Sequence, residues 1–192
     1  MAENMSFERV TTEYYDVLKE LGNIGAGNAT TALAQMLQTK VDMKVPQVRL
    51  LDFKDVGVVM GGEEQLVAGI YLAVEGDITG SIMFILEQNA AKSLVSKLMG
   101  MPPSEGGFTE IEISAMKEIG NIITGAYLNS LAQMTNLKMI PSVPDLNIDM
   151  LNAILSVPAI EFGIIGDQIL LIQTVFTDDV DLNGYFILMP DL

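Results

Sequence analysis

The chain has 192 residues, 49% of them hydrophobic, with 25 acidic against 10 basic side chains and a formal charge of −15. At that length roughly 70% of the unfolded surface can be buried, so a large core is expected, and the negative charge argues against nucleic-acid and membrane-surface partners. There is no cysteine and no histidine, which excludes disulfides, thiol chemistry, zinc and haem sites, and the usual base of a Ser-His-Asp arrangement.

The opening MAENMSFERV lacks the basic-then-apolar plan of a secretory signal, and no apolar run approaches the ~18–20 residues of a membrane span, so no membrane insertion and a cytoplasmic location are expected. Residues 13–37 place Val17, Leu18, Leu21, Ile24, Leu33, Met36 and Leu37 at helical spacing. Beyond Pro46, β-rich runs at 48–53, 67–74 and 81–86 predict strands, with turn residues at 75–77 and Gly80. Residues 89–98 read as a helix closed by Gly100 and Pro102-Pro103. MPPSEGGF, at 101–108, reads as a linker, and Thr109 stands where it can cap a second long helix over 110–135. Beyond Pro144, residues 146–155 read as an amphipathic helix, and 160–165, 169–176 and 184–189 as strands, with turns at 166–167 and 178–183.

The two halves are copies of one unit. ELGNIGAGNATTALAQMLQTKVDMKVP, from Glu20, and EIGNIITGAYLNSLAQMTNLKMIPSVP, from Glu118, align at a constant offset of 98 with twelve of 27 positions identical and no gap. The identities include Glu20/Glu118, Gly22/Gly120, Asn23/Asn121, Gly27/Gly125 and Pro46/Pro144. A single α+β domain over 1–192 is therefore expected, sandwich-like and built from two repeats (about 10–100 and 108–192) with pseudo-twofold symmetry. Strands that follow one another through short turns favour a largely antiparallel sheet. The second unit reaches Leu192 where its counterpart of the 89–98 helix would begin.

With no His or Cys, chemistry must rest on carboxylates, amides, hydroxyls or lysine, and no DxDxDG-type calcium loop is present. Glu20 and Asn23, three apart, share one helix face, and Glu118 and Asn121 repeat the pair. Asn is a poor mid-helix residue, because its amide competes for backbone hydrogen bonds. Its retention in both copies is either functional or part of a packing motif. Gly22, Gly25 and Gly27 superficially spell a dinucleotide loop, but no strand precedes them and position 30 is threonine; close helix packing is the favoured reading. Pro46 and Pro144 most simply end one element and start the next strand.

Glu-x2-Asn-x22-Pro, present at Glu20, Asn23 and Pro46 and again at Glu118, Asn121 and Pro144, resembles the pattern of the CheC-type chemotaxis phosphatases, the CheC/CheX/FliY family. Two intact copies are most similar to its CheC branch. The resemblance implies two long active-site helices on one side of the sheet and hydrolysis of the phosphoryl-aspartate of the response regulator CheY. It implies catalytic roles for Glu20, Asn23, Glu118 and Asn121: the amide orients a water, and the carboxylate docks the regulator's lysine. Pro46 and Pro144 would be structural neighbours of these sites. No cofactor of its own is implied, since the regulator supplies Mg²⁺. A monomer is expected. At the second site Ile123-Thr124 replace Gly25-Ala26 and Ala126 replaces Asn28, so that face is expected to be bulkier and the two sites unequal. The family's second partner, the receptor deamidase CheD, implies a docking segment around residues 146–155, with Asp149 beside an apolar stripe of Ile148, Leu151, Ile154 and Leu155. The competing reading is a non-catalytic adaptor that binds CheY-phosphate or CheD.

Overall fold

The structure, a computed structural model, describes residues 12–38, 40, 42–62, 64–161, 168–177 and 181–190. In chain order it runs α1 (Thr12–Leu37), β1 (Asp42–Asp52), a 3₁₀ turn (Phe53–Asp55) leading into a short α2 (Val56–Val59), β2 (Leu66–Gly76), β3 (Gly80–Glu87), α3 (Gln88–Met99), α4 (Glu110–Thr135), β4 (Met139–Pro141), β5 (Asp145–Met150), α5 (Leu151–Glu161), β6 (Gln168–Thr177) and β7 (Asp181–Pro190). The seven strands form one sheet in the order β1-β6-β7-β3-β2-β4, with β5 also paired to β2, and every pairing is antiparallel. Exchanging β1 with β4/β5, β2 with β6 and β3 with β7 leaves this order unchanged when read backwards.

The α+β, antiparallel expectation holds. Central strands are buried on both faces and read as nearly unbroken apolar runs, as GSIMFILE of β3 does. Ala68, Ile70, Leu72, Ile82, Phe84, Leu86, Leu170, Ile172 and Phe186 pack under α1, α3 and α4. Val67, Met83, Ile85, Leu171, Tyr185 and Ile187 pack on the other face under α2 and α5. Each fully buried side chain of this size contributes roughly 1.5–3 kcal/mol of transfer free energy.

Several expectations are corrected. Residues 145–150 form an edge strand on β2 rather than the start of a helix, so Asp149 lies on β5, opposite Val67. Tertiary context decides here: Leu146 is buried and Asn147 exposed in strand alternation, and the β2 backbone gains a pairing partner. Ile160 and Glu161 belong to α5; the rest of that expected strand and the turn at 166–167 lie outside the described residues, as does 178–180. β1 starts before Pro46. Its register with β6 shifts between Lys44 and Gln47, a bulge at the place where proline has no N–H to donate to the ladder. In the second half the equivalent proline, Pro144, falls in the gap between β4 and β5.

The two long helices pack against each other through small residues. Gly25, Ala26, Ala29 and Leu33 form the buried face of α1, while Val17 and Ile24, which share the helical apolar spacing, are exposed. A β-carbon at Gly25 would lie 2.7 Å from the ring carbons Cδ2 and Cε2 of Tyr127. That ring stacks on Phe186 of β7 at a centroid distance of 4.6 Å, and Phe186 meets Phe84 of β3 at the same distance. Asn28 Nδ2 donates to Ser130 Oγ at 2.7 Å, and Ser130 Oγ donates to the Ala126 carbonyl. Gly120 of α4 sits against Ile70 of β2, with no room for a side chain.

The start of α4 is fixed by a capping box. The Thr109 N–H and hydroxyl donate to Glu112 Oε2 at 2.7 and 2.9 Å, and the Ser104 hydroxyl and N–H donate to the same carboxylate at 2.8 and 3.1 Å. Lys92 Nζ, 5.7 Å from the Phe108 ring centroid, donates to the Ser104 and Gly106 carbonyls. The linker is thereby tied to both α3 and α4. The Thr109 N–H first, then the Ser104 hydroxyl, hold the Glu112 carboxyl down from its ordinary 4.5 to about 2.

A carboxyl depressed on folding stabilises the fold above its unfolded pKa and loses that contribution as pH falls through its folded pKa. The stability margin of the parent over Glu112→Gln is therefore full above about pH 4.5 and shrinks as pH falls toward 2, measurable by urea denaturation across pH; a margin independent of pH would contradict the assignment. Gly25→Ala should lower stability by about 1–3 kcal/mol through overpacking against Tyr127, although alanine alone favours helix by about 1 kcal/mol. A denaturation midpoint equal to the parent's or higher would show that the helices separate without cost.

Candidate active site

Glu20 and Asn23 on α1, and Glu118 and Asn121 on α4, are all exposed. At 3.6 residues per turn, positions 20, 23 and 27 fall within an arc of about 60°, on the side of α1 away from Gly25 and Ala29. The same holds for 118, 121 and 125 on α4. Among the described residues no hydrogen bond or ion pair engages any of the four side chains. Each helix thus presents an unengaged carboxylate and, one turn on, an unengaged carboxamide, which can accept from one donor while donating to another acceptor. The two pairs stand on separate helices, α1 and α4.

The expected bulk at the second site is absent. Ile123 and Thr124 are fully buried and Ala126 half-buried, so the substitutions that distinguish the second copy lie inside the helix packing. At the positions equivalent to Gly25 and Tyr127 stand Ile123 and Ala29: the same bulk, distributed the other way across the pseudo-twofold. Side-chain differences between the copies are absorbed in the core, and both outward faces keep Glu, Asn and Gly.

The glycines divide into two kinds. Gly25 and Gly120 lie under neighbouring side chains, as close packing requires, whereas a β-carbon at Gly27 or Gly125 would meet nothing within 4 Å. Packing therefore accounts for the first two and not for the second pair. Each glycine inside a helix costs about 1 kcal/mol relative to alanine. The identity of Gly27 and Gly125 at the repeat offset was the signal in the sequence, and the packing reading obscured it. Ile24, 37% exposed and next to Asn23 in the chain, adds an apolar element to the outer surface of α1.

Asp149 is exposed on β5, far along the chain from both pairs, and its carboxylate accepts the Met150 N–H at 2.7 Å. Pro46 lies within β1, at its register shift, and Pro144 lies in the gap between β4 and β5. Among the described residues no three carboxylates gather as a metal site. A cavity of about 230 Å³ between the helices and the sheet, lined by Leu21, Tyr127, Leu131, Ile172 and Leu188 among others, is almost wholly apolar. It opens beside Ile78 and Thr135 and contains none of the four exposed residues.

A family model described as the CheC-like family matches residues 15–49 and 111–148, the segments that hold both Glu/Asn pairs and both prolines. The CheY-P phosphatase CheC of Bacillus subtilis is 37% identical over 191 residues, covering 96% of this chain and 91% of that protein. Among solved structures, FliY of Thermotoga maritima superposes with a TM-score of 0.78 at 21% identity, over 94% of this chain and 92% of that one. CheX in the CheX–CheY–BeF₃–Mg²⁺ complex of Borrelia burgdorferi gives 0.55 at 15% identity, over 90% and 97%. These two likenesses extend the fold.

Proposed function

The chain belongs to the CheC-like family, and from that premise we propose that it hydrolyses the aspartyl-phosphate of a CheY-type response regulator. The observation that carries the reading is 37% identity over 96% of the chain to a CheY-P phosphatase. The exposed, unengaged Glu/Asn pairs supply a chemistry consistent with it.

In this reading Asn23 or Asn121 accepts a hydrogen bond from a water through Oδ1 and aims its oxygen at phosphorus. As the water oxygen bonds to phosphorus, the bond from phosphorus to the regulator's carboxylate oxygen breaks. The products are inorganic phosphate and a free aspartate, and the water's proton leaves on the phosphate. Glu20 or Glu118, one turn back, accepts from the lysine ammonium of the regulator and sets the helix against its active site. In this reading the metal site belongs to the regulator, whose Mg²⁺ would offset charge on the phosphoryl oxygens. One preorganised polar group of this kind supplies about 10²–10³ in rate. Exposure suits the task, because the reacting group is carried in by a folded protein rather than bound in a pocket.

The expected stripe is not available to a partner, since Leu151, Ile154 and Leu155 are buried in the core; we further propose that the β5 edge alone docks CheD, with Asp149 facing a basic group on the partner and Met150, 43% exposed, providing apolar contact. The protein acts as a cytoplasmic monomer in this account; no helix among the described residues is long and apolar enough to cross a membrane.

Asn23→Ala combined with Asn121→Ala is expected to abolish acceleration of phosphate loss from radiolabelled CheY while leaving the circular dichroism spectrum and melting midpoint intact. Full activity in the folded double variant would refute the water-positioning role, and lost binding with unchanged turnover at saturation would point to an adaptor. Asp149→Lys places like charges at the CheD contact and should weaken binding by several kcal/mol, with the phosphatase rate unaltered. Unchanged capture of CheD by this variant would remove the docking assignment.

A further inference from the structure

We infer that Gly27 and Gly125 are clearance positions, kept without side chains so that the phosphorylated partner can descend onto the helix backbone beside Asn23 and Asn121. This rests on the phosphatase reading above and adds a positioning element to it.

Four observations carry the inference. Both glycines lie well inside long helices, ten residues before each helix ends, where glycine is disfavoured. Neither has a positive φ, so the backbone does not demand glycine. Neither is packed against: the space a β-carbon would enter is open to 4 Å, in contrast with Gly25 and Gly120. Finally, both occupy the arc between Glu and Asn, one turn beyond the amide, in each copy of a repeat that keeps only twelve of 27 positions.

The chemistry gives a reason for that placement. A phosphoryl group on a folded partner is surrounded by the partner's own loops. Asparagine is short, with its amide only two bonds from the α-carbon, so it reaches a water beside phosphorus only if the helix backbone comes close. A side chain at position 27 or 125 would meet the partner first and hold the amide away. Ile24, exposed on the flank of the same face, is left to make the apolar contact.

The test is a size series on the full-length protein: Gly27→Ala with Gly125→Ala, and Gly27→Leu with Gly125→Leu. Three quantities are measured: the thermal midpoint, kcat and KM for phosphate release from phosphorylated CheY, and capture of CheY activated with BeF₃⁻. The alanine pair should raise the midpoint by about 2–4 °C per substitution, because the unfolded chain loses freedom and the helix gains propensity. Its kcat/KM should fall by about 10–10²-fold, the scale of a misplacement near 1 Å. The leucine pair, also a good helix former, should remain folded and lose both capture and turnover. Stabilised variants with parental kcat/KM would overturn the inference, as would a lowered midpoint, which would mean that the glycines serve the protein's own packing. A parent protein that neither captures nor dephosphorylates CheY would instead overturn the phosphatase reading itself.

Discussion

The ring of Tyr127 occupies the space that any side chain at position 25 would need, and the aim of both long helices follows from that contact. With Gly25, Ala26 and Ala29 turned inward, helical periodicity leaves Glu20, Asn23 and Gly27 no direction but outward. The ring continues through Phe186 to Phe84, so the helix pair is referenced to the two central strands of the sheet. Aromatic contacts of this kind add about 0.5–1.5 kcal/mol each beyond the area they bury. Their larger effect is positional: Gly25 is held against the ring, where a β-carbon would lie 2.7 Å from it. The candidate catalytic groups thus sit on rigid elements whose orientation is set from within the core, as a site that must place an amide accurately requires.

The sheet imposes a second constraint of the same kind. Neither half holds its own first strand: β1 pairs with β6 of the second half, and β4 and β5 pair with β2 of the first. The outermost strands carry exposed Asp42, Lys44, Gln47 and Arg49 at one end and exposed Asp145, Asn147 and Asp149 at the other. Charges and a proline-bearing bulge or gap on both edges discourage strand-to-strand addition between copies.

Much of this was legible in the sequence because the repeat supplies an internal comparison. The helices over 13–37 and 110–135, the cap at Thr109, the strands of the central sheet and the Glu/Asn faces all emerge from spacing and from identity at an offset of 98. What failed did so for physical reasons. Ile148, Leu151, Ile154 and Leu155 have helical spacing, yet the unpaired edge of β2 draws 145–150 into a strand. Ile123 and Thr124 looked like obstructions because sequence alone cannot say which side of a helix faces a partner helix. Ile24 fits the apolar period of α1 and still faces outward, because the buried face is built from glycine and alanine, which leave little trace in a hydropathy pattern.

The exchange of first strands also bears on how the chain is made. When the first repeat has left the ribosome, the β2–β3 hairpin and α3 are complete, but β1 has nothing to pair with. Its partner β6 begins at Gln168, over a hundred residues later. At roughly 5–20 residues per second of synthesis, that strand waits on the order of ten seconds with its backbone groups open. Through that interval Pro46, which withholds one donor, and the alternation of charged residues along Asp42, Lys44 and Arg49 are what stand between the nascent edge and neighbouring chains. A sequence feature that reads in the finished molecule as a local irregularity is, during translation, a guard on an unfinished sheet.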